Sequence, residues 1–460
     1  MKSLRTALLG SLATVLISCG GGDSHPNAPL AAPSIKSQPA SQTIYSGGTA
    51  SFSIAVDGNP VPSIVWQRSN DNGVSWATIN GATSTSYSFT VGPIDTGAKF
   101  RALATNSQGS LLSNAATLTE VPAVYAAGMI DVTNPVSGYW INGTWVELPS
   151  PPGTESEVKA LSVSGNRVLA AGTWMGSNSP NQFPTGYWLD GTWFDLALPS
   201  GYAWGSVNSL VVSGNDLYLA AVIYPVSSAG SYASGYWLNG IWNGLPTPPG
   251  SDFAVLFSFA VSGTDVYAGG YKVANGITSP GYWLNGTWAD LPPPLGSVGG
   301  IVYSIVVSGT DVYAAGYADP TGNSYYAGNP GYWLNGTWVG LALPSGQTAG
   351  AVGSLVVSGT DVYAAGFSQN ASARIPGYWL NGTWVGLAVP PGSDGGVITS
   401  LVLSGGKVYA GGYSTVPPGP PFFVSSSYSP GYWLDGVWVA LPNPAPATGF
   451  SRVNSLNVVP

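Results

Sequence analysis

The tripeptide Gly-Tyr-Trp occurs seven times, with its Trp at 140, 188, 237, 283, 333, 379 and 433. The steps are 48, 49, 46, 50, 46 and 54 residues, and a second Trp follows each after five residues, at 145, 193, 242, 288, 338, 384 and 438. These pairs take 14 of the 18 tryptophans. A period of this length implies one supersecondary unit stacked on copies of itself, because a lone unit cannot bury its apolar face.

The best-kept unit places four strands. Strand a is Ser354–Ser358, strand b Asp361–Gly366, strand c Gly377–Leu380 and strand d Thr383–Leu387. Asn381-Gly382 between c and d is a strong hairpin signal, since a type I′ turn needs positive φ at both central residues. Asp190-Gly191 and Asp435-Gly436 repeat it. Four antiparallel strands in about 49 residues predict a propeller blade. The array opens at a strand b, Val124–Gly128, with no strand a before it. Its last residues, Val453–Val458, match strand a at Val207–Val212. The tail is therefore expected to supply the first blade's innermost strand, which would close the ring and remove an open edge. An open solenoid is the alternative. Ala-Gly-Gly or Ala-Ala-Gly closing strand b, aromatic strands and Trp-x-x-Leu together resemble kelch repeats. That resemblance implies a seven-bladed β-propeller and leaves its function open, because the fold hosts enzymes and binders alike.

The N-terminus has the layout of an export signal: Lys2 and Arg5, then apolar Ala7–Ile17, too short to span a bilayer. Leu16-Ile17-Ser18-Cys19 resembles the lipobox of bacterial lipoproteins. The resemblance implies cleavage before Cys19, a diacylglycerol anchor on its thiol, and the outer membrane of a Gram-negative bacterium. Cys19 is the sole cysteine, and a lone thiol in an exported chain needs a use. Gly20–Pro33 is Gly-, Pro- and Ala-rich and reads as a flexible tether.

Between tether and repeats, alternation at Phe52, Ile54, Val56 and from Phe100 to Ala104, broken by turn signals, suggests a sandwich. Ile64-Val65-Trp66 and Asp95–Phe100 followed by Ala104-Thr105-Asn106 resemble the C strand, corner and F strand of bacterial immunoglobulin-like domains. The resemblance places Ile54 and Ala102 at the disulfide positions and Phe100 at the corner tyrosine, so apolar packing alone is expected to hold this module. Ser69–Trp76 has the spacing of the Asp-box of sialidases, which implies a structural turn. The expected fold class is all-β, an immunoglobulin-like sandwich followed by the propeller. The expected boundaries are a signal peptide at 1–18, a tether at 19–33, the sandwich at 34–120 and the propeller at 121–460.

Charge excludes some partners. Only 12 Lys and Arg are present, scattered, against 20 acids, whereas a nucleic-acid binder needs a basic stripe. Removing 1–18 leaves 10 bases against 20 acids. The single His25 lies in the tether, so the repeat region has no His and no Cys. A His-rich metal site and a Ser/His/Asp triad are thereby excluded there, and neither a metal nor a cofactor is expected.

The repeated residues read as scaffold: the 14 Trp as packing between blades, and Asp265, Asp311 and Asp361 as caps of the a–b turn backbone. The irregular b–c loops, with the d–a connections, gather on one face, the usual binding design of a repeat scaffold. They carry unpatterned aromatics: Trp174, Trp204, Tyr224, Tyr232, Tyr325, Tyr326, Phe422, Phe423 and Tyr428. Such rings suit sugar faces or protein partners, and loop self-packing is the competing role. Glu155, Glu157, Asp252, Asp319 and Asp394 are read into that loop face, where a carboxylate pair would serve sugar hydrolysis, with calcium binding or plain solvation as the competing roles. The expected function is a non-catalytic, lipid-anchored envelope binding or adhesion protein for a glycan or protein. A glycosidase-like enzyme and a structural envelope scaffold remain open.

Overall fold

Each repeat alternates β-branched or aromatic residues with small ones between turn dipeptides, and each such stretch is a strand. The computed structural model describes residues 29–131, 135–150, 154–165, 167–176, 184–227, 230–322, 327–371, 373–416, 427–443 and 450–460. The chain is all-β. Among the described residues the one helical turn is the 3₁₀ turn Pro93–Asp95. No helix there is long and apolar enough to cross a membrane. Two compact units divide the chain. The first takes residues up to Gln42, Ala50–Phe89 and Gly97–Thr119, and the second takes Thr43–Thr49, Thr90–Thr96 and Glu120–Pro460.

In the first unit, strand Ser63–Ser69 pairs antiparallel with Lys99–Asn106, which sets Trp66 opposite Ala102. Trp66 is fully buried and donates its indole N–H to the Ser84 carbonyl at 2.9 Å. Phe52 stacks on Phe100 at 4.6 Å, and Ile54 and Ala102 are buried beside them. Apolar packing is not alone there, because Ser113 Oγ accepts the buried N–H of Ala102 at 2.9 Å. Ser69–Trp76 is a side-chain-locked turn. The Asp71 carboxylate accepts from Ser75 N–H at 2.9 Å, and Ser69 Oγ accepts from Gly73 N–H at 2.8 Å. The Ser75 hydroxyl foremost, then the Ser75 N–H and the Ser69 hydroxyl, donate to the Asp71 carboxylate and hold it well below the usual carboxylate range.

Among the described residues the second unit holds seven four-stranded antiparallel sheets. Sheets 2 to 7 each use four strands in chain order, as in sheet 6, Ala349–Ser358, Asp361–Gln369, Arg374–Leu380 and Thr383–Gly386. Sheet 1 takes Ala123–Asp131, Pro135–Ile141 and Thr144–Glu147 in chain order, and its fourth strand is Arg452–Val459 from the C-terminus. There Val124 faces Val458 and Ala126 faces Leu456.

Strands a, b and c run further than sequence predicts, because the b–c hairpin continues past its Gly. In sheet 6, Phe367↔Pro376, Ser368↔Ile375 and Gln369↔Arg374 extend the ladder beyond Gly366↔Gly377. Strand a joins them across a register shift between Val352 and Ser354. Hence much of what reads as loop is hairpin end.

The c–d turns carry the expected geometry: Asn381 has φ 49° and Gly382 φ 83°, and Asn142, Asp190, Asn239, Asn285, Asn335 and Asp435 lie between 49° and 51°. Each of these side chains also accepts the N–H of the second residue of its sheet's strand b, as Asn381 Oδ1 does from Val362 at 2.9 Å. Asp265, Asp311 and Asp361 correct the reading of backbone caps. Their carboxylates accept instead from the amides of Asn285, Asn335 and Asn381, at 2.8 Å each.

The two tryptophans of a repeat differ in role. The first is fully buried in every sheet, and the second stands half-buried across the strand pair, Trp379 against Trp384 at 4.5 Å. Gly377 is required beneath it: a Cβ there would fall closer than 3.0 Å to the Trp384 ring. The first Trp donates its indole N–H into the preceding sheet's following segment, as Trp379 does to the Ala342 carbonyl at 2.8 Å. Trp140 of sheet 1 makes the same bond to Pro442, beyond sheet 7. Burial of such a ring together with its satisfied N–H is worth about 3–5 kcal/mol on truncation to Ala.

Edge strands of neighbouring sheets are stapled by serines. Ser304 Oγ accepts from Leu355 N–H, Ser354 from Leu401, Ser400 from Leu456, and Ser455 from Leu161, at 3.0–3.2 Å. The C-terminal strand is thus bonded to sheet 7 on one side and to sheet 2 on the other. Sheet 2 has Ala160 at this position and bridges otherwise: Lys159 Nζ donates to Ser206 Oγ at 2.9 Å and to Asn208 Oδ1 at 3.3 Å. Burial holds the Lys159 amine below its ordinary value, although the nearby Glu157 works against this.

Candidate functional site

Sheets 3 and 4 build an aromatic pocket from strand ends. Strand Tyr202–Ser213 carries Trp204 directly opposite Tyr224 on Asp216–Pro225. Cross-strand neighbours stand close enough for aromatic rings to meet, and here they stack nearly parallel at 3.7 Å and 6°. Tyr232 meets Tyr224 edge-on at 5.0 Å, and Phe253, the first residue of sheet 4, meets Tyr232 at 5.4 Å. Trp204, Tyr224 and Phe253 are half-buried, and Tyr232 is 41% exposed. A pocket of about 490 Å³ opens on these rings, with Ser227, Ser231 and the exposed Asp252 on its wall. Burial pushes the Tyr224 hydroxyl above its ordinary value, with Tyr232 adding to the shift.

The register singles this pair out. At the positions of Trp204 and Tyr224, sheet 5 holds Gly299 and Asp319, sheet 6 Ala349 and Gln369, and sheet 7 Gly395 and Thr415. Four repeats therefore share one fold, and only sheet 3 among them has two rings here. The scaffold does not require them.

The expected site residues divide. Trp204, Tyr224 and Tyr232 come together, and Trp204 and Tyr224 lie on strands rather than loops. Tyr428 lies on strand Ser427–Leu434 and packs elsewhere, stacked on Tyr413 at 4.4 Å and edge-on to Phe450 at 4.9 Å. Trp174 lies on strand Arg167–Gly176, opposite Ser156. Tyr325, Tyr326, Phe422, Phe423 and Cys19 lie outside the described residues. Phe253 was missed because it opens a strand; its signal is the departure of Trp204 and Phe253 from the small residues of sheets 5 to 7.

The carboxylates do not behave as a loop cluster. Glu155 and Glu157 belong to strand Thr154–Ser164, and Asp319 ends strand Asp311–Asp319, fully buried. Glu157 accepts from Arg452 Nε at 2.8 Å and from Asn454 Nδ2 at 2.7 Å. Asp319 accepts from Thr321 N–H and Oγ1, both at 2.8 Å. Among the described residues no group of three or more His, Cys, Asp or Glu could hold a metal ion.

Known proteins resemble only part of the chain. The model of a family described as "Domain of unknown function (DUF8696)" matches residues 36–122. Endoglucanase C of Cellulomonas fimi is 39% identical over 88 residues, 19% of this chain and 8% of that protein. The chain thus spans under a tenth of the curated relative it matches. Among solved structures, a chimeric titin Z1Z2 is 25% identical, with 20% of this chain and 98% of that chain covered and a TM-score of 0.17. Titin M4 is 20% identical, with 20% and 100% covered and a TM-score of 0.18.

Proposed function

We propose that this chain is a lipid-anchored cell-envelope binding protein whose second unit, a closed seven-bladed kelch-like β-propeller, presents a carbohydrate pocket. The Cys19 thiol is the anchor, the outer membrane of a Gram-negative bacterium its address, and the immunoglobulin-like module the spacer. Closure is supported by the C-terminal strand, bonded at once to sheets 1, 2 and 7.

The observation that carries the binding role is the Trp204–Tyr224–Tyr232–Phe253 pocket, at a register where sheets 5 to 7 hold small or polar residues. Pyranose rings have an apolar C–H face and a polar rim, which match aromatic faces bordered by Ser and Asp. The carboxylates engaged elsewhere favour binding over hydrolysis: Glu157 is held by Arg452 and Asp319 by Thr321. A stretch shared with a protein named an endoglucanase accords with a carbohydrate setting.

The test is a glycan array probed with the mature chain and with Trp204→Ala. Binding to oligosaccharides that Trp204→Ala abolishes is expected. No bound glycan, or equal binding by the variant, overturns the proposal.

A further inference from the structure

Asp252 and Asp394 occupy the same place in sheets 4 and 7, one residue before the innermost strand. Each donates its N–H to the carbonyl across the hairpin, Asp252 to Val273 at 2.8 Å and Asp394 to Thr415 at 2.9 Å. Their carboxylates differ. Asp394 accepts from the Thr415 hydroxyl at 2.6 Å. Val273 replaces that threonine in sheet 4, so Asp252 has no such donor, and among the described residues its carboxylate makes no hydrogen bond or ion pair. Instead it lines the aromatic pocket.

Among the described residues no Lys or Arg lines that pocket. The cation nearest in the sheet, Lys272, faces Ala254 and is committed to Asp290 at 2.6 Å. A free carboxylate beside electron-rich Trp and Tyr faces, with no competing cation, selects a positive group. Ring quadrupoles attract ammonium, and a carboxylate accepts a charge-assisted hydrogen bond from it. The whole chain, with net charge −8, adds to that field. An anionic sugar would meet repulsion from Asp252 with no cation to offset it.

We infer that the pocket takes an amine-bearing sugar, a de-N-acetylated hexosamine, with its C–H face on the rings and its ammonium on Asp252. This rests on the carbohydrate reading of the same pocket and adds the charge of the ligand.

The experiment is titration calorimetry of the mature chain with glucosamine, N-acetylglucosamine and glucose oligomers of equal length, at a slightly acidic pH that protonates the amine. The wild type is expected to bind the glucosamine oligomer about tenfold more tightly than the glucose oligomer. Asp252→Asn is expected to erase that preference, so that the glucosamine and glucose oligomers bind alike, and Trp204→Ala to weaken both. No amine preference, or a preference that survives Asp252→Asn, overturns the inference; carbohydrate binding that Trp204→Ala still removes would then leave the wider reading standing. If no oligomer binds, both fall. A trilysine peptide bound as tightly as the glucosamine oligomer would overturn the sugar assignment.

Discussion

The indole N–H of Trp140 donates to the carbonyl of Pro442 at 2.8 Å, across 302 residues of sequence. The same bond joins Trp188 to Pro149, Trp237 to Ala197, Trp283 to Pro246, Trp333 to Pro292, Trp379 to Ala342 and Trp433 to Ala388. Six link a sheet to the one before it in sequence. The seventh links the first sheet to the segment after the last. Trp140→Phe keeps most of the ring and removes the donor, so it is expected to cost about 1–2 kcal/mol, as Trp333→Phe should. Denaturant unfolding of the two variants checks this equality. A silent Trp140→Phe beside a destabilised Trp333→Phe would contradict it.

Two tryptophans of sheet 3 should respond differently to truncation. Trp237 is fully buried with its N–H satisfied, and Trp237→Ala is expected to cost about 3–5 kcal/mol. Trp204 sits half-buried where sheet 6 has Ala349, so Trp204→Ala is expected to cost about 1 kcal/mol. Thermal unfolding compares them.

Glu157 is almost fully buried and carries both Arg452 and Asn454 of the C-terminal strand. Arg452→Ala would strand a buried carboxylate, whereas Arg452→Ala with Glu157→Gln would not. The single change is therefore expected to cost more than the double, by about 1–3 kcal/mol given that Arg452 is itself partly exposed. Chemical denaturation of both variants decides it.

The paired turns obey a charge rule. Asp265, Asp311 and Asp361 face an Asn, while Arg167 faces Asp190 at 3.5 Å. Asn381→Asp would set two carboxylates together opposite Asp361 and is expected to lose about 0.5–1 kcal/mol, most of which Asp361→Arg should restore. A double-mutant cycle reads the coupling.

Asp71 gives the first unit a pH signature. Its folded carboxyl lies below the ordinary range, so its stabilisation is fully present above the unfolded value of about 4 and is lost as pH falls towards its folded value. Asp71→Asn is expected to lower the melting temperature at neutral pH, and the gap to wild type should narrow steadily below about pH 4. A constant gap down to strongly acid pH would contradict the lock.

Sequence carried most of the scaffold because its signals are local and repeated. Asn-Gly, with Asp-Gly in two sheets, makes the two-residue c–d hairpin, and seven such turns leave little freedom of register. The strand ends were less legible: Phe367–Gln369 and Arg374–Pro376 form ladder pairs with no periodicity of their own, held by the hairpin they extend. The pocket was half legible. Trp204, Tyr224 and Tyr232 stand out as aromatics outside the repeat pattern, but which of the candidates converge depends on pairing across strands. Asp252 could be told from Asp394 only by the residue opposite, Val273 rather than Thr415, a hairpin relationship 21 residues away in sequence.

Hydrogen exchange of the amides of Arg452–Val459 tests the place of the C-terminal strand most directly, since its ladder with Ala123–Asp131 must be formed for it to be protected. The expected result is protection equal to that of Gly395–Ser404, the corresponding edge strand of sheet 7. Exchange of the tail at the rate of an unstructured peptide, with the rest of the sheets protected, would contradict the account.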